Sequence, residues 1–253
     1  MTICAQKEHG RYMRIIRAVD YNDMSRKAAD ILSAAVIMKP GCVLGLATGS
    51  TPLGIYKYLA DLYKGGRVDF SQAVAINLDE YRGIAPDAEQ SYRYFMNANL
   101  FSKINIPLEN RHIPNGLAAD PAEECKRYDS VIDACGGIDI QLLGIGLNGH
   151  IGFNEPQDEF VTDTHVVDLT ESTINANSRF FDKPGDVPVQ AYTMGIRSIM
   201  RARRILLAVS GAEKAEIVKR SFFGGITPHV PASILLLHAD VTIIGDEGAL
   251  SLI

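Results

Sequence analysis

The chain has 253 residues, 47% of them hydrophobic and 22% charged, a balance that supports a buried core and excludes a disordered or low-complexity chain. Lys and Arg number 25 against 30 Asp and Glu, a formal net charge of −5 with no basic run, which excludes a broad nucleic-acid-binding face. The longest apolar stretches, such as 233–237, fall far short of the ~20 residues a membrane span needs, and residues 1–21 hold charges instead of a signal-peptide core. A cytoplasmic protein with neither nucleic-acid nor membrane partners is expected.

Residues 12–18 read as a first strand. A helix is predicted over about 23–38, with Met24, Ala28, Ile31, Leu32 and Ala35 on one face and Pro40-Gly41 ending it. Residues 42–47 read as a buried strand, whose end turns through 48–51 into a helix with Pro52 in first position. Residues 73–78 form the next strand, opening onto a loop at 79–83. Helices follow at roughly 91–101 and 121–135. In the second of these Cys125, Tyr128, Ile132 and Cys135 recur at three- and four-residue spacing. With Cys4 and Cys42 these cysteines lack paired or C-x-x-C spacing, so they read as small buried hydrophobes in a reducing compartment. Residues 138–145 are the most apolar strand and precede a glycine-rich loop. Later, 204–209 is a strand and 210–221 a helix, with Ser210 and Glu213 at capping-box spacing. The alternation predicts one α/β domain over 1–253, a Rossmann-like three-layer sandwich with a mainly parallel central sheet.

Ligands of such sheets bind beyond the carboxyl ends of the strands. Three loops there carry chemistry: TGSTP at 48–52, DEYRG at 79–83 and GLNGHIGFNEP at 146–156. Gly49, Ser50 and Thr51 before a helix suit either an anion, held by backbone N–H groups and hydroxyls, or a plain N-cap. No Lys stands where a Walker A loop requires one. Asp79 and Glu80 after a buried strand suit a general base, or a turn acid or cap for the next helix. In the third loop Gly144, Gly146 and Gly149 spell G-x-G-x-x-G, and Asp168 lies about where a dinucleotide fold wants its ribose-binding acid. Gly152, Asn154 and Pro156 make a poor helix start, which weakens that reading. Asn148, His150 and Glu155 lie within eight residues, so an imidazole has two neighbours able to fix its tautomer.

Five segments together resemble the glucosamine-6-phosphate deaminase (glucosamine/galactosamine-6-phosphate isomerase) family: GLATGSTPLGIY (45–56), NLDEY (77–81), GIGLNGHIGFNEP (144–156), ANSRFF (176–181) and SGAEKA (210–215). The likeness runs from about 12 to 250. The superfamily includes 6-phosphogluconolactonases, whose counterpart of the third loop lacks FNEP. The resemblance implies conversion of glucosamine 6-phosphate and water to fructose 6-phosphate and ammonia, without metal or organic cofactor. It implies that His150, oriented by Asn148 and Glu155, shuttles the proton of ring opening, and that Asp79 carries the proton between C2 and C1. It places the 6-phosphate on Gly49, Ser50 and Thr51, with Arg179 and Lys214 as countercharges. Many members carry Asp where this chain has Asn148, so charge compensation of an imidazolium would fall to Glu155.

Some members of the resembled family are hexamers activated by N-acetylglucosamine 6-phosphate, held by basic side chains after the NEP element and a C-terminal segment. Here 157–167 contains three acids and no Lys or Arg, and the chain runs only to Ile253. A monomer or small homo-oligomer without that activation is expected. Two rival readings are a sugar-phosphate lactonase and a sugar-phosphate sensor. The sensor would carry a helix-turn-helix module, for which the roughly 11 residues before the first expected strand leave no room.

Overall fold

The computed structural model describes residues 3–8, 11–170, 174 and 188–253. Its elements begin with β1 (Ile3–Glu8), β2 (Arg11–Ala18), α1 (Tyr21–Met38), β3 (Val43–Leu46), α2 (Pro52–Lys64), β4 (Val74–Asn77), β5 (Asp79–Tyr81) and α3 (Tyr92–Met96). They continue with β6 (Arg111–His112), α4 (Pro121–Ala134), β7 (Ile140–Leu143), β8 (His165–Asp168), β9 (Gln190–Thr193), α5 (Ile196–Met200), β10 (Ile205–Val209), α6 (Ala215–Phe223) and β11 (Asp240–Asp246).

Among the described residues eight strands form the main sheet, in the order β1-β2-β11-β10-β7-β3-β4-β6. All neighbours are parallel except β1 and β2, which pair antiparallel at the edge. Side chains alternate across a strand, and here both faces are buried, which explains the unbroken apolar runs. Leu44, Leu46, Leu142, Leu206 and Ala208 pack with Met24, Leu32, Ile55 and Leu59 of α1 and α2 on one face. Val43, Leu143, Leu207 and Val209 pack with Tyr128, Ile132, Ile199, Ile217 and Phe222 of α4, α5 and α6 on the other. The three-layer, mainly parallel arrangement expected from the sequence is therefore what forms.

Three local expectations are corrected. The edge strand β1 precedes the strand taken as first. DEY is a strand, not a loop: β5 joins β9 and β8 in a second, antiparallel sheet of order β5-β9-β8, with Asp79 opposite Thr193. Ser210 and Glu213 form no capping box, because Gly211 takes a φ of 103° and leads into a 3₁₀ turn over Ala212–Lys214, so that α6 starts only at Ala215. The Ser210 hydroxyl instead donates to the Asp246 carboxylate.

From β3 the strand order runs through β4 to β6 on one side and through β7 to β10 on the other. The crevice beyond the ends of β3 and β7 is thus a topological switch point, where ligands bind in open α/β sheets. The loops after β3 and β7 are those that carry Gly49 to Thr51 and Asn148 to Glu155.

Candidate active site

A cleft of about 770 Å³ opens at the switch point, and Gly49, Ser50, Thr51, Asp79, His150 and Lys214 are among its lining residues. Asn148 also lines it, while Glu155 stands behind His150. Arg179 lies outside the described residues.

Strand alternation splits the acid pair on β5. Asp79 and Tyr81 face the cleft, and Glu80 faces away from it. Asp79 is 5% exposed, and among the described residues its Oδ1 has no hydrogen-bond partner. Burial, with the Glu80 carboxylate adding to it against a hydrogen bond from Thr48, pushes the Asp79 carboxyl up to about 8. Glu80 caps a helix from outside it: its carboxylate accepts from the backbone N–H groups of Tyr81, Tyr92 and Arg93, each at 2.9 Å. The last two N–H groups belong to the first turn of α3 and have no partner within the helix. Glu80→Gln replaces one acceptor oxygen by a donor against these N–H groups. It is expected to cost about 2 kcal/mol of stability, read as a lower denaturation midpoint at unchanged m-value.

The third loop folds back on itself. Gly146 N–H donates to the His150 carbonyl at 3.0 Å, and Gly149 N–H to the Gly146 carbonyl at 3.0 Å. Asn154 fastens the loop to β9, its Nδ2 donating to the Ile151 and Met194 carbonyls at 2.9 Å each. No helix begins among the glycines, so the dinucleotide pattern has no phosphate-binding helix end. His150 Nδ1 lies 3.2 Å from Glu155 Oε1, a carboxylate 5% exposed. Asn148 is expected from the sequence to orient the ring with Glu155, but among the described residues its side chain makes no hydrogen bond to the ring. Its Nδ2 donates to Glu155 Oε2 at 2.6 Å and its Oδ1 accepts from the His150 backbone N–H at 3.2 Å. It therefore holds the carboxylate that faces the ring.

In the first loop Gly49 takes a φ of 102°, a backbone that favours glycine. Thr51 stands at the N-cap of α2 but is helical in φ and ψ and makes no side-chain capping bond, so the plain-cap alternative does not describe it. Lys214 is half-buried. Its Nζ donates to the Ile145 carbonyl at 2.7 Å, and desolvation lowers its pKa. Among the described residues no group of three or more His, Cys, Asp or Glu side chains is placed to hold a metal ion.

Sequence reasoning included Thr48 and Tyr81 in the site loops without giving them a role, and it missed Tyr92 as a lining residue and what two glycines do. A Cβ on Gly152, whose φ is +58°, would lie 3.6 Å from Asp79 Oδ2. A Cβ on Gly146 would lie 2.5 Å from His150 Cε1 and Nε2. The sequence signal for Gly146 is its place in the G-x-G-x-x-G pattern, where the missing side chain makes room for the imidazole and not for a dinucleotide.

A switch-point cleft lined by a desolvated acid, by the imidazole of an imidazole–carboxylate pair, by a glycine-hydroxyl loop at a helix start and by a lysine defines an enzyme of small anionic substrates. Within that class the chain belongs to the glucosamine-6-phosphate isomerase/6-phosphogluconolactonase family, whose model matches residues 20–244. It is 58% identical over 232 residues to a glucosamine-6-phosphate deaminase of Lachnoclostridium phytofermentans, covering 92% of this chain and 98% of the relative. It is 56% identical over 241 residues to one of Thermoanaerobacter pseudethanolicus, covering 95% of each. The solved structure of a monomeric glucosamine-6-phosphate deaminase superposes with a TM-score of 0.92 at 45% identity, covering 94% of this chain and 99% of that one.

Proposed function

We propose that this chain is an enzyme that converts glucosamine 6-phosphate and water to fructose 6-phosphate and ammonia. The observation that carries the reading is the placement of Asp79, a buried carboxyl pushed up to about 8, in one cleft with the His150–Glu155 pair. An aldose–ketose isomerisation needs two proton carriers, one for the ring and one for carbon, and these two sets supply them.

The 6-phosphate sits on Gly49, Ser50 and Thr51 at the start of α2, where N–H groups and the helix dipole favour a dianion. Lys214 and Arg179 supply countercharge. His150 moves the anomeric hydroxyl proton to the ring oxygen, and Glu155, held by Asn148, stabilises the imidazolium formed in passing. Asp79 as carboxylate then removes the C2 proton while the C2 ammonium gives one of its protons to the carbonyl oxygen at C1, leaving a neutral enolamine, and Asp79 returns its proton to C1. The resulting ketose imine takes up water and releases ammonia. The ammonium carried at C2 by the incoming substrate favours the ionised form of Asp79, so substrate binding prepares its own base. The role this implies is amino-sugar breakdown in the cytoplasm.

The test is a coupled assay for fructose 6-phosphate and ammonia from glucosamine 6-phosphate, without added metal, beside an assay of 6-phosphogluconolactone hydrolysis. Equal amounts of both products support the reading, and lactone hydrolysis without ammonia release overturns it.

We propose further that the enzyme is a monomer or small oligomer, without activation by N-acetylglucosamine 6-phosphate. Asp158, Glu159 and Asp163 give the segment after the NEP element a negative face, and Arg197 beside it is already paired with Asp163 at 2.7 Å. Initial rates are expected to follow a hyperbola in substrate and to be the same with and without the acetylated sugar phosphate. A sigmoidal curve made hyperbolic by that compound would contradict this.

A further inference from the structure

We propose that Tyr21 is a positioning residue for the substrate phosphate, acting through the backbone of the loop after β3. The proposal rests on the reading that Gly49, Ser50 and Thr51 hold that phosphate.

The first four N–H groups of a helix lack partners within it, and a side chain at the N-cap ordinarily takes one of them. In α2 Pro52 has no N–H, and Thr51 makes no capping bond. The phenol of Tyr21, on the first turn of α1, does that work from another helix. Its oxygen accepts from the Gly54 N–H at 2.8 Å, while its proton is shared between the Ser50 carbonyl at 3.0 Å and the Thr51 carbonyl at 3.2 Å. One hydroxyl thus ties the last two residues of the loop to the first turn of the helix they enter. It turns those two carbonyls toward α1. The loop that lines the cleft is thereby held in one conformation, and the hydroxyl of Thr51 is spared from capping.

The close approach of α1 to α2 makes this reach possible. A Cβ on Gly54 would lie 2.3 Å from Ser25 Oγ and 3.0 Å from Tyr21 Cε1, so only glycine lets the ring come this near. Tyr21 is itself anchored by its place in α1, whose N-cap Asp20 accepts from the Asp23 N–H at 2.8 Å.

Tyr21→Phe keeps the ring and removes the three hydrogen bonds. The KM for glucosamine 6-phosphate and the inhibition constant of inorganic phosphate are expected to rise together by roughly tenfold, the size of one or two neutral hydrogen bonds. The kcat is expected to stay within about twofold, because the hydroxyl touches none of the proton carriers. On glucosamine, which has no phosphate, kcat/KM is expected to move by less than about twofold. A KM and inhibition constant unchanged by the substitution would overturn the proposal. So would a parallel fall in the rates on both substrates, which marks general disturbance of the fold. Inorganic phosphate that fails to compete even with the unsubstituted enzyme would overturn the phosphate-loop reading, and this proposal with it.

Discussion

Asp79→Asn is expected to lower kcat by about a thousandfold while leaving KM nearly unchanged, the signature of a lost proton carrier and not of a lost binding group. The same substitution is expected to stabilise the fold. The folded-state pKa of Asp79, about 8, lies above its ordinary value of 3.8. The folded chain therefore keeps a proton that the unfolded chain releases, and this group's stabilisation, complete below about pH 4, is lost as pH rises through about 8. An amide at 79 loses nothing over that window. The gain in melting temperature of the variant should be smallest near pH 4 and largest above pH 8. In the unsubstituted enzyme kcat/KM should rise with pH through about 8, as the carboxylate forms. A variant that keeps near-normal kcat, or a melting temperature difference independent of pH, would contradict this account of Asp79.

Gly146→Ala should separate folding from catalysis in the same cleft. The added methyl would meet the His150 ring at 2.5 Å, and the ring is the movable partner. The imidazole must therefore swing away from the position 3.2 Å from Glu155 in which it now lies. Displacement of a reacting group by about 1 Å costs on the order of a hundredfold in rate, and kcat/KM is expected to fall by about that factor. The melting temperature should change little, because the strain is relieved by a side-chain rotation. Normal kcat/KM in a folded Gly146→Ala variant would show that the ring does not need this seat.

The parts of the fold that the sequence revealed are those whose burial is local. Residues such as Leu44, Leu142 and Leu206 form short apolar runs because both sheet faces are covered, and Met24 to Ala35 repeat at helical spacing because one face of α1 is buried. Strand β5 was not legible, since it has three residues and its partner β9 lies more than a hundred residues further on. That pairing decides the chemistry of the acids: adjacent in sequence, Asp79 and Glu80 point to opposite sides, one into the cleft and one onto the N-terminus of α3. Asn148, His150 and Glu155 could be picked out as a group by their spacing. Which of them faces the ring depended on the fold of the loop, and the structure gives that place to Glu155. Tyr21 left no signal at all, because a capping bond across 33 residues has no local pattern.

If Asp79 carries the proton from C2 to C1, a hydrogen at C1 of the product comes from the substrate. A carboxyl group holds a single proton, and one only 5% exposed exchanges it slowly with water. Glucosamine 6-phosphate deuterated at C2 should therefore be turned over in ordinary water, and the fructose 6-phosphate examined for deuterium at C1. A measurable part of the label is expected at C1, with a slower rate for the labelled substrate. Product without any deuterium at C1, formed at the unlabelled rate, would contradict it.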